Sequence, residues 1–289
     1  MKRKEIMLSP TARRKALRSA MRTLLAVVVT LIMMFPLYWM LLTALKPTNE
    51  VLTVIPTFWP SKIQWQNFVD AWTQVNYPRY IINTLYVTAW HLVLQLTMGV
   101  LAAYGFARGK FFGKNFLFLV VLSAMMIPGQ AVFVPVYVLI ANLGWVNTFA
   151  GLVLPGVVSA NMIFMLRQNF MSVDQSYLDA GEVDGLGIFG TIYHVLIPMC
   201  KASVVTVALN SFISGWNNYF WPKILAKDDE HRLISVALAM MKGMWDDVGG
   251  TGFYNTLMAG AVISVLPVIV VFIFNQKHLM KGYAKNAMK

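Results

Sequence analysis

One cysteine, Cys200, in 289 residues leaves no intramolecular disulfide and no multi-cysteine metal site. Four histidines, His91, His194, His231 and His278, are too scattered for metal-ligand spacing, so metal chemistry finds no support. Charge is scarce: Asp, Glu, Lys and Arg make up 12% of the chain, against about 25% in soluble domains. A phosphate-cradling loop is missing as well. The nearest string, GFARGK at Gly105–Lys110, has three residues between its glycines and runs on into Phe111 instead of Ser or Thr. No Ser-x-x-Lys, Gly-x-Ser-x-Gly or His-Glu-x-x-His string occurs. The expectation is a chain that is no enzyme by itself, with no catalytic residue, metal or cofactor of its own.

What the chain does have is oil: 58% of it is hydrophobic and its mean hydropathy is +0.60. The net charge of +12 is placed as a topology signal and not as a nucleic-acid patch, because 8 of the 24 Lys and Arg lie within Met1–Arg22, directly before an apolar run. That run, Leu24–Leu45, is too long for the core of a signal peptide and lacks a small-x-small cleavage site, so it is expected to stay as a helix. Hydropathy gives six spans: Leu24–Leu45, Ile81–Ala103, Phe116–Ile127 (short before Pro128), Thr148–Leu166 (kinked at Pro155-Gly156), Ala202–Trp221 and Asn255–Asn275. An even count puts both termini on one side. With them inside, 17 Lys and Arg are cytoplasmic and 7 outside, which favours cytoplasmic termini. The expected architecture is all-α and polytopic: a basic segment over 1–22, then one membrane domain over 23–289 in lipid. Trp59, Trp65 and Trp72 in the first outer loop fit a short surface helix at headgroup depth, or a docking surface for an outside partner.

Polar side chains in lipid are costly unless they face protein or water, which makes two stripes informative. In the fifth span Ser203, Thr206, Asn210, Ser214, Asn217 and Trp221 share one helical face. In the second, Thr84, Thr88, His91 and Gln95 do the same. Both fit interhelical hydrogen bonding. Asn210, Ser214, Asn217 and Gln95 also fit the lining of a path for a neutral, hydroxyl-rich solute, with His91 beside it and Trp221 either stacked on a sugar face or anchored at the interface. No Asp or Glu lies mid-membrane, which weighs against proton coupling.

The segment YLDAGEVDGLGIFGTIYHVLIPM, Tyr177–Met199, falls on the cytoplasmic side within a loop of about 170–200. Ser172-Val-Asp-Gln175 reads as a capping box with Ser172 at its head, and Asp174 suits the positive end of the helix dipole. A helix of about ten residues follows, stopped by Gly185 as the left-handed residue; a second carries Ile188, Phe189, Ile192, Tyr193 and Leu196, and Pro198 bends the chain. A helix this short, with Gly181 inside it, needs packing from its own membrane domain or from the groove of a soluble partner.

Asp179-Ala-Gly-Glu-Val-Asp-Gly185, followed by Val195-Leu-Ile-Pro198, resembles the E-A-A-x-x-D-G signature, ending in L-P, of permease subunits in bacterial ATP-binding cassette importers. PVYVLIANLGWVNTFAGLVLP before it, FISGWNNYFWP after it and the tail FNQKHLMKGYAKNAMK resemble the carbohydrate branch, of the maltose-permease second-subunit type. Asp179 stands where Glu is usual, Gly181 where the second Ala is, and Ile197 where Leu is. The resemblance implies a coupling helix formed by Asp179, Ala180, Gly181, Glu182, Asp184 and Gly185, closed by Pro198, that docks on an ATPase subunit. It also implies a second homologous permease, two ATP-binding subunits that hold the ATP and magnesium, and an extracytoplasmic solute-binding protein; no nucleic acid is involved. Import of a sugar, oligosaccharide or related polyol by alternating access is the expected function. The rival is a self-sufficient secondary carrier or channel.

Overall fold

The computed structural model describes residues 10–129, 131–247 and 254–286. Lys2, Arg3 and Lys4 of the basic segment and Lys289 of the tail lie outside them. Every regular element among the described residues is helical. In chain order these are α1 (Pro10–Ala44), α2 (Gln66–Gln74), α3 (Tyr77–Arg108), α4 (Lys114–Ala124), α5 (Phe133–Asn142), α6 (Phe149–Val153), α7 (Ala160–Met171), α8 (Gln175–Val183), α9 (Ile188–Gly190), α10 (Ile197–Met199), α11 (Lys201–Trp216), α12 (Phe220–Leu225), α13 (Ile234–Asp247) and α14 (Tyr254–Asn286). A 3-10 turn covers Thr48–Glu50, and Thr191–Leu196 is π-helical. The chain divides into two compact units, Met1–Ala71 with Met244–Val262 and Trp72–Gly243 with Ile263–Lys289.

In the first unit α1 passes through Arg22 without a break. Its last carbonyls are capped by a side chain: Asn67 Nδ2 donates to Ala44 O at 2.8 Å and Lys46 O at 2.9 Å. Asn255 Nδ2 donates to Asn67 Oδ1 at 3.0 Å, so the capping amide is itself held. Lys46 is buried, its ammonium donating to Thr57 O at 2.6 Å and lying 4.8 Å from the centre of the Trp39 ring. Trp59 and Trp65 are exposed in irregular chain ahead of α2, so the surface helix expected here carries only the third tryptophan of the set, Trp72.

The second unit is organised along α3, whose 32 residues make a rod of about 48 Å. Two cores sit near its two ends. Val87 packs with Ile140, Leu152, Val153, Leu225 and Leu233. About 20 Å further along the helix axis, Val100 and Ala103 pack with Leu166, Phe170, Leu178 and Leu196.

Among the described residues the six expected spans become three helices long and apolar enough to cross a membrane, Leu17–Ala44, Tyr77–Arg108 and Tyr254–Lys277, plus a pair bent by 91°, Ile188–Met199 with Lys201–Leu225. The third and fourth spans are not single helices. α4 has 11 residues, about 16 Å against a hydrocarbon core of about 30 Å, and stops before Pro128. The fourth is broken and not merely kinked: α6 ends at Val153, Gly156 takes φ +82°, and Ser159 starts α7 afresh by accepting a hydrogen bond from Met162 N at 3.3 Å. The fifth ends at Trp216, and Trp221 belongs to the separate α12.

Candidate functional site

The loop over 170–200 has the expected helix, turn and helix, with its start shifted. Asp174, and not Ser172, caps α8: its carboxylate accepts from Ser176 N at 2.9 Å and Ser176 Oγ at 2.7 Å. These two bonds hold the Asp174 carboxyl below its ordinary value, helped by the nearby Arg108 charge. Ser172 closes the preceding helix, its hydroxyl donating to Asn169 O at 2.7 Å. Gln175 turns forward to Asp179 Oδ1 at 2.8 Å instead of back to the cap. The far end is as expected. Gly185 has φ +79°, Gly185 N donates to Glu182 O at 3.0 Å and Leu186 N to Gly181 O at 2.9 Å, the paired bonds of a Schellman stop.

Leu178 and Gly181 face inward, and a Cβ on Gly181 would stand 3.3 Å from Leu186 Cδ1 and 3.5 Å from Val195 Cγ2. Glycine here lets the turn and the returning helix close on α8. Asp179, Ala180, Glu182, Val183, Asp184 and Gly185 are exposed, as is Tyr177. The loop therefore presents an acidic and apolar ridge on a well-packed base. Pro198 is exposed on α10, and the chain turns two residues later, at Cys200. A proline ring cannot tolerate the carbonyl four residues back in an α-helix; the π-helical turn over Thr191–Leu196, which widens the spacing, relieves that clash.

The two polar stripes separate by environment. On α3, Thr84 Oγ1 accepts from Ile234 N at 2.9 Å, His91 Nδ1 lies 2.9 Å from Val153 O, and Gln95 Nε2 donates to Gly156 O at 2.8 Å while Ser211 Oγ donates to its carbonyl. His91 and Gln95 thus satisfy carbonyls that the broken fourth span frees, the condition for irregular backbone at membrane depth. On α11, Ser203 Oγ donates to Asn169 Oδ1 at 2.6 Å and Thr206 Oγ1 to Ala202 O at 2.8 Å. Asn210, Ser214 and Asn217 are exposed, and their side chains make no hydrogen bond among the described residues. Trp221 is half-buried in an aromatic cluster, 5.2 Å from Phe133 and 6.1 Å from Phe220 between ring centres. Trp216 is buried with its indole N–H on Ser264 O at 3.0 Å.

Three cations, on α3, on α12 and in the loop after α12, have partners. Arg232 pairs with Asp229, Arg79 Nη2 donates to Glu230 Oε1 at 3.3 Å, and Lys223 lies over the Tyr219 ring. Asp228 organises the turn: Asn147 Nδ2 donates to it and His231 N donates at 3.1 Å, with His231 Nδ1 at 2.8 Å. The Asn147 bond, and then those from His231, pull the Asp228 carboxyl down to about 2. A depressed carboxyl adds stability that is complete above its ordinary 3.8 and disappears as pH falls through about 2. Thermal unfolding should therefore show an acid-side loss over that window in the natural protein, and Asp228→Asn should flatten it. Among the described residues no group of three or more His, Cys, Asp or Glu is placed to hold a metal.

Sequence reasoning missed the residues that fasten the loop. Arg108, the last residue of α3, donates through Nη2 to Phe170 O at 2.7 Å and to Val173 O, and through Nη1 to Gln175 Oε1 at 3.0 Å. Asn169 and Ser211 were also not singled out. The only signal was the basic turn at Arg108–Lys114.

A model of the family described as binding-protein-dependent transport system inner membrane component matches residues 95–285. The probable ABC transporter permease protein YurM of Bacillus subtilis (strain 168) is 30% identical over 260 residues, covering 88% of this chain and 83% of that one. The arabinooligosaccharides transport system permease protein AraQ of the same organism is 27% identical, covering 92% and 94%. The sn-glycerol-3-phosphate transport system permease protein UgpE of Yersinia pestis is 26% identical, covering 90% and 93%. Among solved structures, a bacterial ABC transporter involved in the import of the acidic polysaccharide alginate shares the fold, with a TM-score of 0.79 at 21% identity over 94% of this chain and 98% of that one. The family match begins inside α3 and ends in the last turn of α14, taking in the whole of the Asp174-capped loop, and so the chain belongs to the binding-protein-dependent transport system inner membrane components, the permeases of ABC transporters.

Proposed function

We propose that this chain is one of two homologous membrane subunits of an ATP-driven importer for a sugar, oligosaccharide or related polyol. In this reading the chain crosses the membrane six times with both termini cytoplasmic, α4–α5 and α6–α7 each making one crossing through a broken helix. Two ATP-binding subunits supply the energy and hold the ATP and magnesium; an extracytoplasmic binding protein delivers the solute. The observation that carries it is the exposed ridge of α8, set on a buried base by Leu178, Ile192 and Leu196. A nine-residue helix with two exposed acids, a third at its C-cap Asp184, and exposed Tyr177 and Val183 is a marginal structure in water unless a partner covers it.

ATP closure of the partner subunits moves that ridge, and the rigid base passes the movement to α3 and α11, so the bundle alternates its opening. Asn210, Ser214 and Asn217 form the solute-facing wall, because neutral amide and hydroxyl groups match a hydroxyl-rich solute. His91, Gln95 and Trp221 stand behind it as supports. Relatives are named for arabinooligosaccharides and diacetylchitobiose, and a solved alginate transporter was captured with its saccharide-bound periplasmic protein, all consistent with a carbohydrate cargo.

Purification of the tagged chain from its native membrane tests the reading. An ATPase should copurify, and uptake into proteoliposomes should need ATP and the binding protein. Uptake by the chain alone on an ion gradient would establish the secondary-carrier alternative.

A further inference from the structure

We propose that Arg108 is the positioning residue that joins α3 to the coupling loop, through the relay Arg108–Gln175–Asp179. This rests on reading α8 as the coupling helix. The guanidinium stands at the C-terminus of α3 and reaches the corner between α7 and α8 from outside both. Its Nη2 takes Phe170 O at 2.7 Å, in the last turn of α7 where the Ser172 cap N–H also reaches it, and Val173 O in the link to α8. Its Nη1 takes Gln175 Oε1 at 3.0 Å, and the other end of that amide donates to Asp179 Oδ1 at 2.8 Å. Three consecutive groups thus connect the long helix to the exposed ridge.

The joint is reciprocal. Arg167 of α7 donates from Nε to Phe106 O of α3 at 3.1 Å and lies 3.9 Å from the centre of the Phe118 ring. Lys114 donates to Ala107 O at 3.2 Å and to Gly109 O at 2.9 Å. The last turn of α3 and the α7–α8 corner are therefore one clamped body. Of the three cations only Arg108 contacts α8. Lysine cannot replace it, because one ammonium cannot serve two carbonyls and an amide in the plane that the guanidinium fork spans. Since α3 also holds the broken fourth span through His91 and Gln95, a displacement of α8 reaches the membrane interior by way of Arg108.

The test uses the complete transporter in proteoliposomes, with solute uptake and ATP hydrolysis measured together. Arg108→Gln should lower uptake per ATP about tenfold, the scale of losing charge-assisted bonds. Gln175→Ala leaves the two carbonyl bonds in place and cuts only the relay, and should lower the ratio about threefold. Arg108→Lys, which keeps the charge, should give an intermediate ratio; complete rescue would make Arg108 a charge site and overturn the proposal. Should Arg108→Gln fail to assemble, Gln175→Ala decides: a natural ratio in that variant overturns the relay, and a lowered one supports it. Absence of ATP-driven uptake in the natural complex would remove the underlying coupling reading first, before any variant is compared.

Discussion

Gly185→Val should insert into the membrane and assemble, yet lose most of the uptake that ATP hydrolysis drives. The expectation follows from local geometry. Gly185 sits at φ +79°, and a Cβ there would meet no atom within 4 Å, so the substitution creates no clash with the rest of the chain. The penalty is confined to the backbone: a left-handed residue with a side chain costs about 1–2 kcal/mol, and a β-branched one lies at the upper end. Relief comes by abandoning the stop, which breaks Gly185 N to Glu182 O and Leu186 N to Gly181 O. The ridge then loses its fixed angle to the base, and uptake per ATP should fall about tenfold. Chemistry ranks the substitutions. Asparagine, which visits the left-handed region readily, should retain most of the coupling; alanine should fall between asparagine and valine. Paired uptake and ATPase measurements check the order, and natural coupling in the valine variant would remove Gly185 from the coupling element.

The loop was legible in the sequence to the extent that its signals are local. A left-handed stop depends on a glycine and the residues just before it, and the φ of Gly185 agrees with the one inferred from position. The capping box failed for an equally local reason. Ser172-Val-Asp-Gln175 satisfies the pattern, but α7 runs to Met171, so Ser172 is spent on the end of one helix and Asp174 begins the next. A four-residue string does not say which of two adjoining helix ends it serves. Hydropathy fared similarly: a window average sees apolar residues through Pro155-Gly156 and cannot tell a kink from a break, whereas the bend expected at Pro198 is present as a 91° turn between Met199 and Lys201. Long-range partners were out of reach altogether. Nothing near Arg108 indicates that its acceptors lie 62 and 65 residues away, and His91 looks like any polar residue on a stripe until Val153 O is free to receive it.

Cysteines placed at 210, 214 and 217 should react with membrane-impermeant thiol reagents in the assembled transporter, and bound solute should protect them. The stripe on α11 is chemically uniform in sequence, but its members are not equivalent. Ser203 and Thr206 already have acceptors, whereas Asn210, Ser214 and Asn217 are exposed with none among the described residues. Amides turned toward hydrocarbon would be costly, so this face requires water, solute or a polar partner. Cys200 is buried and gives little background. Phe272→Cys on the exposed apolar face of α14 supplies the lipid-facing control, and the three path positions should react about tenfold faster than it does. Asn210→Leu removes donor and acceptor together at nearly constant size, and should lower uptake about tenfold while ATP hydrolysis continues. Equal protection of all three cysteines with and without solute, in every nucleotide state, would reduce the face to a helix–helix contact. The solute path would then have to be sought on the proposed second permease, since His91 and Gln95 of the stripe on α3 are already committed to the backbone of the broken span and Thr84 accepts from Ile234 N.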